Sequence, residues 1–372
     1  MAAISPAACS TAIPTPGWTG TCSPWQHRIA GLAASRLTSA RAQRNGPPVC
    51  AGWKLDPMPD FSPVDYAVPG FVLLVLAEML WAWKRRPEAY EPRDTLTSLA
   101  FGLGSTVAGA LVGGAFFALF LWVWQFRLFD LGPEWWTVCW AWIACFVLDD
   151  LKYYWVHRAG HRVRWFWASH VNHHSSQHYN LSTALRQTWT GSLTLGFAFA
   201  LPLVLLGFHP VMIAICGGFN LIYQFWIHTE AIGKMPRWFE AVMNTPSHHR
   251  VHHATNPRYL DRNYAGVFIV WDRLFGTFEE ERPDEERIRY GIVRQLGSFN
   301  LLWAVFHEWI GIVQDMWRAP WRHKLGYLLR EPGWTHDGSR ETSDMIRARW
   351  LERQGAKPVA DENAIAGEGQ PA

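Results

Sequence analysis

Most of the histidines in this 372-residue sequence lie in a few short stretches whose spacing suits metal binding. Ten of the 16 histidines fall in HRAGH, HVNHH, WIHTE and SHHRVHH. Residues three and four apart share one face of a helix, so each multi-histidine stretch is predicted to present two or three imidazoles together. The ten residues are His157, His161, His170, His173, His174, His228, His248, His249, His252 and His253.

Packing alone explains so many imidazoles poorly, because without a cation their ring nitrogens would compete for donors. Neutral imidazole is the commonest metal ligand in proteins. Eight or more nitrogens exceed what one ion coordinates, so two ions are expected. The sequence has no C-x-x-C that would indicate thiolate ligands. Imidazole suits iron, zinc, copper and nickel alike, so the ligands by themselves leave the metal open.

The first histidine pair lacks the glutamate that serves as general base in the H-E-x-x-H motif of zinc proteases. Arg158 occupies that position, which disfavours hydrolysis. A pair of iron ions that activates dioxygen fits better, because inserting oxygen into an unactivated C–H bond requires a redox metal. We therefore expect oxidative chemistry, while the nitrogen count does not exclude zinc.

The composition indicates that the elements positioning these histidines are associated with a membrane. Charged residues make up 17% of the chain, and there are 24 tryptophans, a residue enriched at membrane interfaces. The mean hydropathy of −0.06 argues against a protein that is mostly embedded in lipid. The net charge of +3 is small and implies no nucleic-acid partner.

Four apolar stretches predict the membrane-spanning part: residues 66–83, 95–126, 135–148 and 187–229. The third is expected to continue as one helix through His161. The fourth is interrupted at residues 207–210, which favours a hairpin of two helices. The basic run at 84–86 places the end of the first span in the cytoplasm. The predicted fold is an all-α integral membrane protein with about four to five transmembrane helices and a cytoplasmic, helical, histidine-rich metal-binding cap.

The two ends of the chain differ in composition from the middle. Residues 1–57 are expected to be a disordered leader or to reflect a spurious upstream start, with Met58 as the alternative first residue. Residues 58–285 would form the transmembrane domain and 286–355 an interfacial helical region, in which 299–313 is an amphipathic helix. Residues 356–372 are predicted to be a disordered tail.

Several longer motifs resemble those of the fatty acid hydroxylase and sterol desaturase superfamily of membrane di-iron enzymes. They are YYWVHRAGH, WASHVNHHSSQHYNLSTALRQ, YQFWIHTE and NTPSHHRVHHATNPRYLDRNYAGVFIVWDRLFGTFEEE. The resemblance covers roughly residues 66–280. The stretches NLSTALRQ and NTPSHHRVHH are similar to those of a narrower group within it that oxidises ether lipids.

The resemblance implies that eight histidines bind two irons, with His228 at a further ligand position. It also implies a membrane lipid substrate, dioxygen, and an external electron donor, which is tetrahydrobiopterin in the ether-lipid group. One departure is Arg162, because relatives often carry an acidic residue directly after the second histidine. The eight are His157, His161, His170, His173, His174, His249, His252 and His253.

Further residues are candidates for supporting the ligands or contacting substrate. His248 lies outside the H-x-x-H-H pattern and is expected near the site or at the surface. Asp149, Asp150, Glu230 and Asp272 are carboxylates that could orient ligand rings. Asp261 and Asn263 are equally interpretable as ligand supports or as structural loop residues. The remaining candidates are Gln224, which lies four residues before His228; Asn180, either a helix cap or a site residue; and Arg186, expected to meet lipid headgroups or phosphate at the membrane surface.

Three functions fit these patterns. The first is an oxygen-dependent lipid hydroxylase or monooxygenase, acting for example on an alkylglycerol, with its site on the cytoplasmic face. The second is a sterol or fatty-acyl desaturase on the same scaffold. The third is a membrane zinc protein with a structural or transport role. Nothing in the sequence indicates a flavin or nicotinamide fold, so electrons would come from outside the chain.

Overall fold

The part of the chain that a computed structural model describes, residues 62–355, is built from helices. These residues contain no β-strand, apart from two isolated bridges that join Met243 to Phe268 and Ala254 to Tyr290. The all-α fold is therefore confirmed for this part. The predicted leader 1–57 and tail 356–372 lie outside the described residues. The domain boundaries stay a prediction.

Thirteen α-helices follow one another in the described part, separated by turns and short 3-10 helices. The α-helices are α1 Pro63–Arg85, α2 Pro92–Trp124, α3 Cys139–Arg162, α4 Arg164–His174, α5 Leu181–Ala184, α6 Leu201–Leu206, α7 Pro210–Trp226, α8 Arg237–Glu240, α9 Pro246–His252, α10 Val270–Leu274, α11 Leu301–Arg318, α12 Gly326–Leu329 and α13 Ser343–Arg353. The 3-10 helices are Pro87–Ala89, Trp135–Thr137, Gly191–Thr194, Gly196–Ala200 and Trp321–His323.

Helices α1 and α2 are the two described helices that are long and apolar enough to cross a membrane. Each begins at a capping side chain followed by proline, since Ser62 and Glu91 accept from backbone N–H groups of the first turn. Their outer faces expose large apolar side chains, such as Leu80 on α1 and Leu111 on α2. This supports membrane association, whereas the predicted total of four to five spans stays a prediction.

The third apolar segment continues without a break into the histidine region, as expected. Helix α3 runs from Cys139 to Arg162, so its apolar first half packs in the core and its last two turns carry His157 and His161. Ala141 and Cys145 in the first half are fully buried. One rigid helix therefore connects the apolar end of the molecule to the first histidine pair.

The predicted helical hairpin is present only in part. The break at Gly207 is confirmed, and helix α7 begins after it at Pro210. The first arm is not one helix: two 3-10 helices precede the short α6, and Leu195 between them has φ +60°. The left-handed backbone at Leu195 interrupts the helical path before Gly196.

A loop after α9 is fixed against α3 by a buried carboxylate. Asp150 accepts the backbone N–H groups of Val267 and Phe268 at 2.8 and 2.9 Å, and the indole N–H of Trp271 at 2.9 Å. Gly266 passes so close that an added Cβ would lie 2.7 Å from an Asp150 carboxylate oxygen. Any side chain at Gly266 would push this loop away from α3.

Helix α4 is held by α11 from the C-terminal region. The buried guanidinium of Arg164, at the first residue of α4, lies 2.6 Å from both Glu308 and Asp315 on α11. Helix α9 begins with Thr245 as its cap and Pro246 in its first turn, and it ends at His252.

Candidate metal centre

The structure brings nine of the ten clustered histidines together as two adjacent groups. In each group, the candidate ligand nitrogens all lie within 4.8 Å of one another. The five-histidine group contains His157, His161, His170, His174 and His252, and the four-histidine group contains His173, His228, His249 and His253. The groups touch, because the rings of His174 and His253 stack with centroids 4.4 Å apart.

In the five-histidine group, the Nε2 atoms are spaced like neighbouring ligands of one ion. His170 Nε2 lies 3.0 Å from both His157 Nε2 and His174 Nε2. His252 Nε2 lies 3.1 Å from His174 Nε2. Two nitrogens at right angles around a metal with bonds of about 2.1 Å are about 3.0 Å apart. The spacing therefore fits one ion bound by several imidazoles.

The four-histidine group has the same spacing. His228 Nε2 lies 3.2 Å from His173 Nε2 and 3.0 Å from His249 Nε2. On the other side of their rings, His228 Nδ1 faces the Gln224 carbonyl at 2.7 Å and His173 Nδ1 faces the Arg186 carbonyl at 3.3 Å. A carbonyl oxygen only accepts, so these Nδ1 atoms carry the proton.

The loop after α9 orients two imidazoles of the five-histidine group in the same way, with Nδ1 facing a backbone carbonyl. His157 Nδ1 donates to the Tyr264 carbonyl at 2.7 Å, and His252 Nδ1 donates to the Arg262 carbonyl at 3.0 Å. A neutral imidazole protonated at Nδ1 has a lone pair at Nε2. The Nε2 atoms of these rings therefore face one another as acceptors.

Converging lone pairs without a shared donor are unfavourable, and a bound cation relieves them. His161 Nε2 and His253 Nε2 are buried and have no hydrogen-bond partner. Each such unsatisfied buried group costs about 1–3 kcal/mol. A donor set made only of imidazole suits iron among other transition metals. The residues present thus fit iron in both groups.

Burial keeps the imidazoles neutral and ready to bind a metal. It lowers the pKa of seven of them below the usual value, and for His173 to about 4. Neighbouring imidazoles lower it further in most of them. Since a metal binds only the neutral ring, protons compete weakly at neutral pH. The seven are His157, His170, His173, His174, His249, His252 and His253.

The two H-x-x-H-H motifs each contribute to both groups. On α4, His170 and His174 belong to the five-histidine group, whereas His173 belongs to the four-histidine group. In the other motif, His252 belongs to the five-histidine group and both His249 and His253 to the four-histidine group. Adjacent histidines thus belong to different groups. The prediction that each stretch presents its imidazoles together is therefore correct only in part.

Asp261 provides a carboxylate to the five-histidine group through His161. His161 Nδ1 lies 3.1 Å from Asp261 Oδ1. Arg162 lies 3.7 Å from the other Asp261 oxygen and also pairs with Glu331 and Asp344. Relatives often carry an acidic residue at the position of Arg162. Here Arg162 instead offsets the negative charge of Asp261, a carboxylate from a distant part of the chain. The positive φ of Asp261, +55°, places this residue at a tight bend.

Arg250 is a positioning residue that the sequence analysis missed. Its buried guanidinium forms two contacts with Glu281, at 2.9 and 2.7 Å. The same side chain donates to the carbonyls of Thr229 and Ile232 at 3.0 and 2.6 Å. It therefore ties helix α9 to the segment that follows His228. The sequence signal that could have identified Arg250 is its position between the histidine pairs 248–249 and 252–253.

The other carboxylate candidates do not contact a ligand ring. Asp150 holds the loop 266–268, and Glu230 pairs with Arg86 at 3.4 Å. Asp272 accepts the N–H groups of Tyr264 and Ala265, both at 2.8 Å, and so fixes the carbonyl that His157 uses. Asp149 pairs with Lys152. Gln224 supports His228 through its backbone carbonyl.

Three remaining candidates have structural contacts. Of the two alternatives for Asn180, the structure shows the helix cap, because its side chain caps α5. The prediction that Arg186 lies at the membrane surface is wrong: its side chain is buried and pairs with Asp94 at 3.1 Å, because that carboxylate neutralises it inside the fold. His248 is also buried rather than at the surface, and it packs edge-on against Phe278 outside both groups.

An apolar cavity of about 570 Å³ opens onto both histidine groups. Its walls come from α1, α2, α3 and α7, including Phe71, Ser105 and Leu221. His157 and His228 line it, one from each group. A chain-like apolar ligand in this cavity would reach the candidate metals from the side of the two apolar helices.

A second cavity, of about 850 Å³, meets the five-histidine group from another direction. His161, His174 and His252 line it together with polar residues of the C-terminal region, such as Gln314 and Arg340. Its lining differs in kind from the apolar cavity, because it carries charged groups of both signs. It offers a route to the histidines for small polar molecules.

The comparisons with known proteins agree with this arrangement. Residues 142–277 match the family model described as fatty acid hydroxylase. Human alkylglycerol monooxygenase is 39% identical over 284 residues, covering 75% of this chain and 61% of the human protein. The zebrafish (Danio rerio) alkylglycerol monooxygenase is 38% identical over 275 residues, covering 73% and 60%.

A more distant relative extends the similarity to sterols. A zebrafish cholesterol 25-hydroxylase-like protein is 32% identical over 154 residues, covering 39% of this chain and 57% of the relative. The chain spans about three fifths of the length of the alkylglycerol monooxygenases that it resembles. No solved structure matches the chain.

Proposed function

We propose that the protein is a membrane-bound monooxygenase that hydroxylates a lipid, on the premise that residues 142–277, which match the fatty acid hydroxylase family model, form a domain of that family. One observation carries the proposal. Two touching all-histidine groups contribute to the lining of an apolar cavity whose walls include residues of the two candidate membrane helices. A lipid chain and the candidate metals would meet there.

The nine histidines would hold two irons, one in each group. Bound iron would supply the redox chemistry that activation of dioxygen requires. The chain's own part is to keep the rings neutral, to orient them through the carbonyls of Tyr264 and Gln224, and to exclude water by burial. Asp261 would raise the basicity of His161 in the same way.

The substrate proposed is an ether lipid of the alkylglycerol type. The relatives named alkylglycerol monooxygenase support this choice. The apolar cavity would take the alkyl chain, while Ser169, Gln187 and Thr188 provide polar groups in its wall for a glycerol headgroup. The overall reaction places one atom of dioxygen in the lipid and releases the other as water, using two electrons and two protons from an external donor.

The donor would reach the site through the polar cavity. That cavity opens on three histidines of one group and is separate in lining from the apolar one, so donor and lipid need not compete for space. Tetrahydrobiopterin is the donor we propose, and a redox protein is the alternative.

The site is proposed to face the cytoplasm in a chain with four to five spans. The basic residues Lys84 and Arg85 lie in the last turn of α1. Arg86, the next residue, pairs with Glu230, which follows His228 by two positions. Since basic residues favour the cytoplasmic side, the histidine groups lie on that side.

The test is turnover of an alkylglycerol by purified protein in lipid, with labelled dioxygen, iron and tetrahydrobiopterin. We expect close to two irons per chain and one labelled oxygen in the product. An unlabelled product with a new double bond would instead indicate desaturation. Tightly bound zinc, with no oxygen-dependent product under any reductant, would overturn the proposal in favour of a structural or transport protein.

A further inference from the structure

Helix α11 carries a continuous apolar stripe that no described residue covers. Leu302, Phe306, Ile310, Val313 and Trp317 follow one another at intervals of three or four residues, and all are exposed. Such spacing puts them on one face of the helix. Trp317 is 84% exposed, which is an extreme value for so large an apolar side chain.

The opposite face of α11 is locked into the protein, so the stripe cannot turn inward. Ala304, Val305 and Ile312 are buried. Glu308 and Asp315 on the same side hold the buried Arg164 of α4 at 2.6 Å. Rotating α11 to hide the stripe would leave that buried guanidinium without its two carboxylate partners, which is strongly unfavourable.

The stripe continues beyond the helix and is bordered by cations. Trp321 is 84% exposed, and Leu325 is exposed one turn later. Arg318 and Arg322 lie between these apolar residues and are exposed. Tryptophan beside basic residues is typical of a segment at the boundary between lipid headgroups and acyl chains.

The position of α11 relative to α2 matches that boundary. Phe101 of α2 is fully buried against Ala304 and Val305 of α11. Helix α2 has 33 residues and is about 50 Å long, against a hydrocarbon core of about 30 Å. Phe101 lies nine residues from its start, about 14 Å along it, and hence near the edge of the hydrocarbon core when the helix is centred.

We propose that the stripe formed by Leu302, Phe306, Ile310, Val313, Trp317, Trp321 and Leu325 lies in the membrane, seated at the headgroup–acyl boundary, with Arg318 and Arg322 directed to lipid phosphates. The occupant is the bilayer itself, because α2, a candidate membrane helix with exposed apolar side chains, packs against α11 through Phe101. Through Arg164, this membrane-seated helix braces the first turn of α4, the helix that carries three of the candidate ligands.

The test measures depth at Trp317 directly. The full chain with Trp317→Cys carries a nitroxide label in lipid nanodiscs, with the unmodified chain treated in parallel to subtract labelling of native cysteines. Accessibility to oxygen, which concentrates in lipid, is compared with accessibility to a water-soluble nickel complex. Leu111→Cys on the exposed face of α2 serves as the deep reference, and Glu352→Cys on α13 as the aqueous reference.

We expect the ratio of oxygen to nickel accessibility at position 317 to be severalfold higher than at 352 and below that at 111. A ratio equal to that at position 352 would overturn the inference. Dipolar broadening at 317 that grows with protein-to-lipid ratio would also overturn it, because it would show a second copy of the chain on this face. The readout requires neither iron nor product, so it is independent of the proposed enzyme activity.

Discussion

The Asp261→Asn substitution tests whether the candidate centre depends on a carboxylate outside the two histidine groups. Asp261 accepts from His161 Nδ1 at 3.1 Å, on the side of the ring away from the cluster. Asparagine keeps an oxygen in the same place but removes the charge. Asparagine also tolerates the left-handed backbone at this position, where φ is +55°.

The expected magnitude follows from the role of such partners. Losing an outer hydrogen bond to a metal-ligating histidine typically lowers metal affinity or activity by about 10- to 100-fold, which corresponds to about 1.4–2.7 kcal/mol. We expect an effect near the lower end, because the amide oxygen can still accept the Nδ1 proton. The fold should persist, since Arg162 keeps Glu331 and Asp344 as partners.

The assay is iron retention against a chelator series, followed by lipid turnover at saturating iron. Asp344→Asn is the matched control, because it removes the same charge beside Arg162 without touching a ligand ring. Equal iron retention by Asp261→Asn and the unaltered chain would refute the reasoning. So would an equal loss in Asp344→Asn, because the effect would then belong to Arg162 and not to His161.

Three further predictions concern the histidine groups and the two cavities. His170→Ala should lower iron binding and lipid turnover by more than the roughly 100-fold seen for outer partners, whereas His178→Ala, outside both groups, should retain its iron; metal analysis of both variants decides this. Ser105→Phe, which places a large side chain in the apolar cavity, should raise the lipid KM in steady-state kinetics, whereas Val107→Phe at an exposed position should not. Equal lipid KM values for the two variants would contradict the cavity assignment. Gln314→Trp in the polar cavity should raise the KM for the electron donor by about tenfold, or about 1.4 kcal/mol, and leave the lipid KM unchanged, so an equal rise in both constants would argue against separate routes.

Much of the candidate site was predictable because the face of a helix on which a residue lies follows from its spacing to nearby residues. The H-x-x-x-H and H-x-x-H-H spacings indicated which imidazoles could meet, and all eight do so. His228 carries no periodic partner, and its place rested on resemblance alone. The structure brings it into the four-histidine group, next to His249.

The supporting contacts could not be read from spacing, because they join residues far apart in sequence. Asp261 lies 100 residues after His161, and Arg186 lies 92 residues after Asp94. The local sequence does not distinguish a buried arginine from one at the membrane surface. The difference depends on the carboxylate partner, which for Arg186 is Asp94. The irregular arm at residues 191–200 had a similar cause, since apolar composition alone does not reveal the left-handed backbone at Leu195.

The division of each H-x-x-H-H motif between the two groups has a consequence for metal loading. Helix α4 supplies His173 to one group and His170 and His174 to the other, and the second motif is divided in the same way. Because each group takes side chains from both segments, an ion held in either group would stabilise the arrangement that the other group needs. Uptake of the pair should therefore be steeply cooperative, with singly loaded protein scarce at every intermediate metal concentration.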